Sequence, residues 1–345
     1  MRVLLITPKP SSIGGIARWT EAFLEYSIDK FDTVVVDNSL LVSKKSKILN
    51  FFSQVKRTAT IMSNLFWGIK GNKIDVAHLN TSCARLGVIR DYFCAVKLRR
   101  SGIPIVLQCH CNIADQLGKS KLSNYFFKRL VHLSDRVLVL NRKSLDFIHL
   151  ISEGKGEIYP NFIASERVLT HSKPIKDNIM QIVYVGHMYR SKGAFEVLEV
   201  AKEFPDIVFK FVGPCEAFLE QVPDIPANAR FTGSKSPSEV MEILDESDAF
   251  ILLSHSEGFS NAMLEAMARG LPVIATNVGA AKDMIEENGG MIVEVDNPSD
   301  SVRAIELISP KSTREQMSIW NLQKVEREYI SEVVLGRLEG VYRSI

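Results

Sequence analysis

Short runs rich in valine, isoleucine and leucine alternate with longer helical patterns from one end of the chain to the other, which confines it to an α/β fold. In the first half the runs fall at residues 3–7, 33–37, 75–79, 104–109, 136–140 and around 157–159. In the second half they fall at 181–186, 208–213, 230–232, 249–254, 272–275 and 291–295. Helical stretches separate nearly all of them, so each half reads as a parallel sheet covered by helices on both faces. At 345 residues the chain exceeds a usual single domain, and a polar stretch at 163–178 containing Pro174 reads as the linker. The expected domains are residues 1–170 and residues 175–324, followed by a charged helical tail. The expected architecture is two doubly wound, Rossmann-like domains facing a central cleft. In such sheets ligands bind beyond the carboxyl ends of the strands, so the chemistry is sought just after them.

Composition narrows the function. Hydrophobic residues make up 46% and charged residues 24%, ordinary for a globular protein with real cores, and a net charge of +2 does not call for a nucleic-acid partner. Cys83, Cys94, Cys109, Cys111 and Cys215 form no C-x-x-C pair, and scattered thiols suit a reducing cytosol. The apolar N-terminal run stops at Thr7-Pro8, short for a secretory leader, and no stretch approaches the ~18 apolar residues of a membrane span. The expected location is the cytoplasm, or the cytoplasmic face of the inner membrane.

The most informative segment is Ser254-His-Ser-Glu257-Gly258-Phe259-Ser260-Asn261-Ala-Met-Leu-Glu265. It leaves a buried strand, crosses a short loop and enters a helix for which Ser260 or Asn261 is a good N-cap. Glu257 then lies in the loop at the ligand edge of the sheet, and Gly258 allows close backbone approach. The N–H groups around Phe259–Ala262 would point at an anion such as a diphosphate. Taken singly, Glu257 reads equally well as a loop acid and Glu265 as an i,i+4 partner of Arg269. Eight positions apart around a glycine loop and a helix N-terminus, the two together favour a site.

This segment and its continuation, Ala266-Met-Ala-Arg-Gly-Leu-Pro-Val-Ile-Ala275, resemble the E-x7-E region of glycosyltransferase family 4, a retaining family of the GT-B fold. The resemblance implies that Glu257 lies by the donor sugar and that Glu265 binds the ribose hydroxyls of a nucleotide-sugar. A carboxylate suits the second task because it accepts two hydrogen bonds from a cis-diol. Val185-Gly186-His187-Met-Tyr-Arg190-Ser-Lys192-Gly193 resembles the family's G-R-x-x-x-x-K-G, whose Arg and Lys clamp the donor pyrophosphate. Lys192 and Gly193 match in place; His187 stands where the family has Arg, and Arg190 is the candidate substitute. Two cations at a helix start are unfavourable with the dipole unless an anion docks there.

Thinner matches cover residues 1–163. Gly14-Gly15 resembles the family's N-terminal glycine loop, and His110, at the end of a strand, matches its cleft histidine. Tyr159-Pro-Asn-Phe162 resembles the P-N-G segment, with Phe162 for Gly, and Gly233 falls in the loop that in the family meets the nucleobase. The tail, with Trp320 and Tyr342, resembles the family's closing helix, which implies that residues at about 325–345 cross back to join the first domain.

The resemblance implies retention of configuration without a metal, and no D-x-D pair is present to hold Mg²⁺. His110, Glu257 and Lys192 are the expected catalytic residues. Gly15, His187, Arg190, Lys192, Gly233, Gly258, Phe259, Ser260, Asn261 and Glu265 are expected to bind the donor. The expected activity is hexosyl or N-acetylhexosaminyl transfer, with UDP as the commonest carrier in the family, to a glycan or polyprenyl-linked glycan in cell-surface polysaccharide synthesis. No cofactor is expected. The alternatives are an inverting GT-B enzyme, a sugar-nucleotide epimerase and a non-catalytic nucleotide-sugar-binding homologue. An NAD dehydrogenase, suggested by Asp37 after the second strand, conflicts with Gly14-Gly15 being followed by Ile-Ala-Arg rather than x-x-Gly. Finally, Lys44, Lys45, Lys47, Lys56 and Arg57 flank Ile48, Phe51, Phe52, Ile61, Leu65, Phe66 and Trp67. Residues 44–70 therefore read either as a helix on anionic lipid or as one packed into the first domain.

Overall fold

The computed structural model describes residues 1–12, 14–39, 47–118 and 120–345, the side chains of 47–55 excepted. It divides into two compact units, Met1–Asn161 with Val334–Ile345, and Phe162–Val333.

The first unit runs β1 (Arg2–Thr7), α1 (Gly15–Ser27), β2 (Asp32–Asp37), α2 (Lys47–Ile69), β3 (Val76–Thr81), α3 (Arg85–Arg100), β4 (Ile105–Cys109), α4 (Ile113–Leu117), α5 (Lys121–Leu133), β5 (Arg136–Val139), α6 (Arg142–His149) and β6 (Gly156–Ile158). Its six strands lie in the order β2-β1-β3-β4-β5-β6, all parallel. Strand order therefore reverses between β1 and β3. The central strands β3 and β4 are buried along their whole length. One sheet face presents Leu4, Ile6, Ala77, Leu79, Ile105, Leu107, Val137 and Val139 to a core closed by residues such as Ile61, Leu65, Leu98 and Phe127.

The second unit runs β7 (Gln181–Val185), α7 (Ala194–Lys202), β8 (Val208–Val212), α8 (Glu216–Leu219), β9 (Ala229–Phe231), α9 (Pro237–Glu246), β10 (Ala249–Leu252), α10 (Asn261–Ala268), β11 (Val273–Thr276), α11 (Ala281–Ile285), β12 (Gly290–Val293), α12 (Pro298–Ile308) and α13 (Lys311–Glu328). Its parallel strands follow the order β12-β11-β10-β7-β8-β9, with the reversal between β10 and β7. The last helix, α14 (Ser331–Arg343), belongs from Val334 onward to the first unit, where Val334 C=O accepts from Tyr159 Oη at 2.8 Å.

The division falls at 161/162, earlier than the 170–175 read from the sequence, and residues 325–333 stay with the second unit. Hydrogen bonding explains the difference. Ile163 forms a parallel bridge with Ile330, and Leu169 N–H donates to Ala268 C=O at 3.0 Å. Lys173 Nζ donates to the Leu244 and Asp245 carbonyls at 3.0 and 2.8 Å, in the last turn of α9. A cation there satisfies carbonyls that the helix cannot, and burial lowers its pKa to about 8. The polar stretch read as the linker is thus fastened to the second unit.

In α2, Ile61 and Leu65 are buried in the first unit's core, whereas Phe66 and Trp67 are 44% and 62% exposed. Lys44 and Lys45, and the side chains of Lys47, Ile48, Phe51 and Phe52, lie outside the described residues. No helix among the described residues is long and apolar enough to cross a membrane.

Candidate functional site

In the second unit the loops after β7 and β10 meet where strand order reverses, the position at which open α/β sheets bind ligands. Lys192 Nζ lies 2.7 Å from Glu257 Oε1, their side chains 32% and 15% exposed. The buried Ser254 hydroxyl donates to the same Oε1 at 2.9 Å, so the carboxylate is held from both loops. His255 N–H donates to Ser191 C=O at 3.0 Å, stitching the loops together by backbone as well.

Two glycines make this approach possible. Gly193 has φ 72°, and a Cβ there would stand 2.0 Å from Leu253 O; Gly279 has φ 59°, and its Cβ would stand 2.4 Å from Glu257 O. Only glycine combines the left-handed backbone with that proximity. Ala280 N–H donates to Gly258 C=O at 3.1 Å, fixing the loop from the β11 side. Ser260 caps α10, its Oγ accepting from Met263 N–H at 3.2 Å. Asn261 opens that helix, and Glu265, half-buried, follows one turn in. The positive end of the α10 dipole and the Lys192 ammonium are thus the anion-attracting elements of these loops.

The remaining expected donor residues are arranged differently. Phe259 is buried, its ring 5.6 Å from that of Tyr329 at 73°, so only its backbone is available to a ligand. His187 is exposed and stacks on Tyr189 at 5.3 Å with ring planes 1° apart. The Arg190 guanidinium sits 4.3 Å from the Phe195 ring centre, a cation–π contact rather than a partnership with Lys192. Gly233 follows β9 at the sheet edge, with φ 70° and open space where a Cβ would point, and its C=O accepts from Gly213 N–H at 3.0 Å. Sequence reasoning missed Ser254; the signal available was a hydroxyl ending an apolar strand three residues before Glu257.

Among the described residues, Glu196, His255 and Asp296 could hold a divalent ion, their ligand atoms all within 4.8 Å of one another. His255 Nε2 is 3.0 Å from Glu196 Oε1 and 3.5 Å from Asp296 Oδ1, which equally describes a histidine shared by two carboxylates.

In the first unit, Gly15 begins α1, after Gly14 at φ 128°. His110 follows β4 and is partly exposed, its Nε2 2.8 Å from Asn80 Oδ1. The Trp19 ring lies 5.6 Å away, edge-on at 68°. Asn80 is buried on β3, and its Oδ1 also lies 3.2 Å from Nε2 of the buried His78. Burial lowers the His78 pKa to about 4. Burial, with His78 beside it, likewise holds His110 well below the usual histidine range. Asn80 was also missed from the sequence, although its spacing of two from His78 in a strand sets both on one sheet face.

Residues 168–321 match the family described as Glycosyl transferases group 1. TuaC of Bacillus subtilis is 28% identical over 216 residues, 58% of this chain and 54% of TuaC. The capsular polysaccharide biosynthesis glycosyltransferase CapM of Staphylococcus aureus is 28% identical over 191 residues, 50% of this chain and 48% of CapM. The chain thus spans about half the length of these two relatives. The crystal structure of Anabaena HepE in complex with UDP and glucose superposes with a TM-score of 0.78 at 12% identity, covering 100% of each chain. That likeness shows the fold, the GT-B fold expected from the sequence.

Proposed function

We propose that the chain is a retaining glycosyltransferase of family 4 that moves a hexosyl or N-acetylhexosaminyl group from a UDP-sugar to a glycan or polyprenyl-linked glycan. The observation that carries this is the Lys192–Glu257 pair at the reversal of strand order, beside the N-terminus of the helix bearing Glu265. It lies inside the segment that matches Glycosyl transferases group 1. The names of CapM and of the HepE complex support a polysaccharide product and a UDP-linked donor.

In this reading Glu265 holds the ribose diol, while Lys192 and the α10 N-terminus face the diphosphate. As the bond between the anomeric carbon and the phosphate oxygen breaks, negative charge grows on the departing diphosphate, and a fixed cation and helix dipole stabilise it. The acceptor hydroxyl oxygen bonds to the anomeric carbon on the same face. Its proton passes to the departing phosphate oxygen, which retains configuration and leaves UDP. Glu257 orients the sugar, His110 is the catalytic residue contributed by the first unit, and no metal takes part. The enzyme works on the cytoplasmic side of a membrane, with residues 44–70 as its peripheral contact.

The test is incubation with a panel of UDP- and GDP-sugars, following nucleotide release with and without EDTA. UDP release from one sugar, unchanged by EDTA and with an α-configured product by NMR, is the expected result. Release that requires Mg²⁺, or an inverted product, would contradict it.

A further inference from the structure

The sheet face of the first unit that carries His110 holds a hydrogen-bonded chain whose proton positions follow from one fixed end. Thr20 Oγ1 is 2.8 Å from Ile16 C=O, and a carbonyl only accepts, so the Thr20 proton points there. The 2.6 Å contact between Thr7 and Thr20 hydroxyls then needs the Thr7 proton. With its proton committed, Thr7 Oγ1 accepts from the Asn80 amide at 3.0 Å, which puts Asn80 Nδ2 toward Thr7 and Oδ1 toward the histidines. The network thus settles an amide orientation that is otherwise ambiguous. Asn80 Oδ1 receives His78 Nε2 at 3.2 Å and His110 Nε2 at 2.8 Å, and a carbonyl oxygen has two lone pairs for two donors. Both imidazoles therefore carry their proton on Nε2. At its other nitrogen His78 accepts from Tyr342 Oη at 2.6 Å, which closes the network consistently. No hydrogen bond to His110 Nδ1 forms among the described residues, and that atom is not among the buried unpartnered ones.

We infer that Asn80, oriented through Thr7 and Thr20, is a positioning residue that fixes the Nε2–H tautomer of His110 and leaves Nδ1 as a bare lone pair. Resting on the glycosyltransferase reading, this makes His110 an acceptor for a hydroxyl hydrogen of a bound sugar, and not a proton donor to it. Neutrality supports the role, since an imidazolium has no lone pair to offer. A sugar lacking the matching hydroxyl loses the bond.

The test is long-range ¹H–¹⁵N NMR of ligand-free protein, with His110 assigned through His110→Gln. Wild type is expected to show protonated Nε2 and unprotonated Nδ1 between pH 7 and 8. Asn80→Asp keeps an acceptor and should keep the tautomer. Asn80→Ala and Thr7→Val should bring in the Nδ1–H form, with Thr7→Val serving if Asn80→Ala does not fold. A protonated Nδ1 in wild type, or an unchanged tautomer in both loosened variants, would overturn the inference. A kinetic arm adds the ligand: Asn80→Ala should slow sugar transfer at least tenfold while UDP affinity stays within twofold. Parallel loss of UDP affinity would mark a merely structural residue. If no sugar transfer occurs at all, the proposed function fails while the NMR result still decides the tautomer.

Discussion

Lys192 and Glu257, sixty-five positions apart in sequence, meet at 2.7 Å across the two loops that leave β7 and β10. Neither loop reaches the other through side chains only. Gly193 lies against Leu253 O where no Cβ would fit, and Gly279 does the same against Glu257 O. The ion pair is the visible end of a backbone arrangement built for close approach.

Lys192→Ala should therefore lower turnover by about a hundredfold or more, the scale of removing one fixed group that stabilises transition-state charge. The partly exposed pair contributes little to folding, and the variant should lose no more than about 1 kcal/mol. Steady-state kinetics and denaturant unfolding separate the two effects. Turnover within a few-fold of wild type would remove Lys192 from the mechanism.

Gly193→Ala tests the geometry rather than the charge. At φ 72°, with Leu253 O 2.0 Å from the new Cβ, the loop has to move or the strand end has to give way. A loss of about 3 kcal/mol or more is expected in urea unfolding, combining backbone strain with displacement of a buried carbonyl. A loss below about 1 kcal/mol would show that the β7 loop tolerates another path.

The fold was largely legible in the sequence because period and burial agree along most strands. The run read at 75–79 is β3, which in the structure continues to Thr81. Its polar end, with His78 and Asn80 wholly buried, does not look like a strand interior until Thr7, Tyr342 and His110 are brought beside it. Those partners lie up to 264 positions away, so no local pattern announces them. The loop, the Ser260 cap and the helix after β10 were readable because they are contiguous in sequence. Arg190 was read by spacing as a phosphate cation, but a neighbouring ring, Phe195, competes for it at 4.3 Å. The boundary near 161 was missed because polar residues such as Lys173 look solvated, while here the ammonium caps a helix end.

The buried His78 makes stability depend on pH. Its pKa is about 4 in the fold and about 6.5 in an unfolded chain, so between these values the unfolded state binds more protons. The full contribution is present above pH 6.5 and is lost as pH falls toward 4. Wild type should lose about 3 kcal/mol more than His78→Gln between pH 7 and pH 4. Parallel unfolding curves for the two proteins across that range would contradict the neutral, buried assignment.

Tyr342→Phe leaves His78 Nδ1 buried without the 2.6 Å hydroxyl it has in the wild type. An unfolding loss of about 1–3 kcal/mol is expected, the scale of stranding one buried acceptor. Because Tyr342 lies in the segment after Val334 that belongs to the first unit, proteolysis near the C-terminus should accelerate in step. Unchanged stability would mean that the network does not depend on that helix.

Calorimetric titration with UDP, GDP and NAD, on wild type and on Glu265→Ala, decides whether the second unit holds a nucleoside diphosphate. One-to-one binding of UDP in preference to GDP and NAD is expected, weakened at least tenfold by the substitution at this helix carboxylate. Binding of NAD in preference to both diphosphates, no binding of any of the three, or UDP affinity untouched in Glu265→Ala would contradict it.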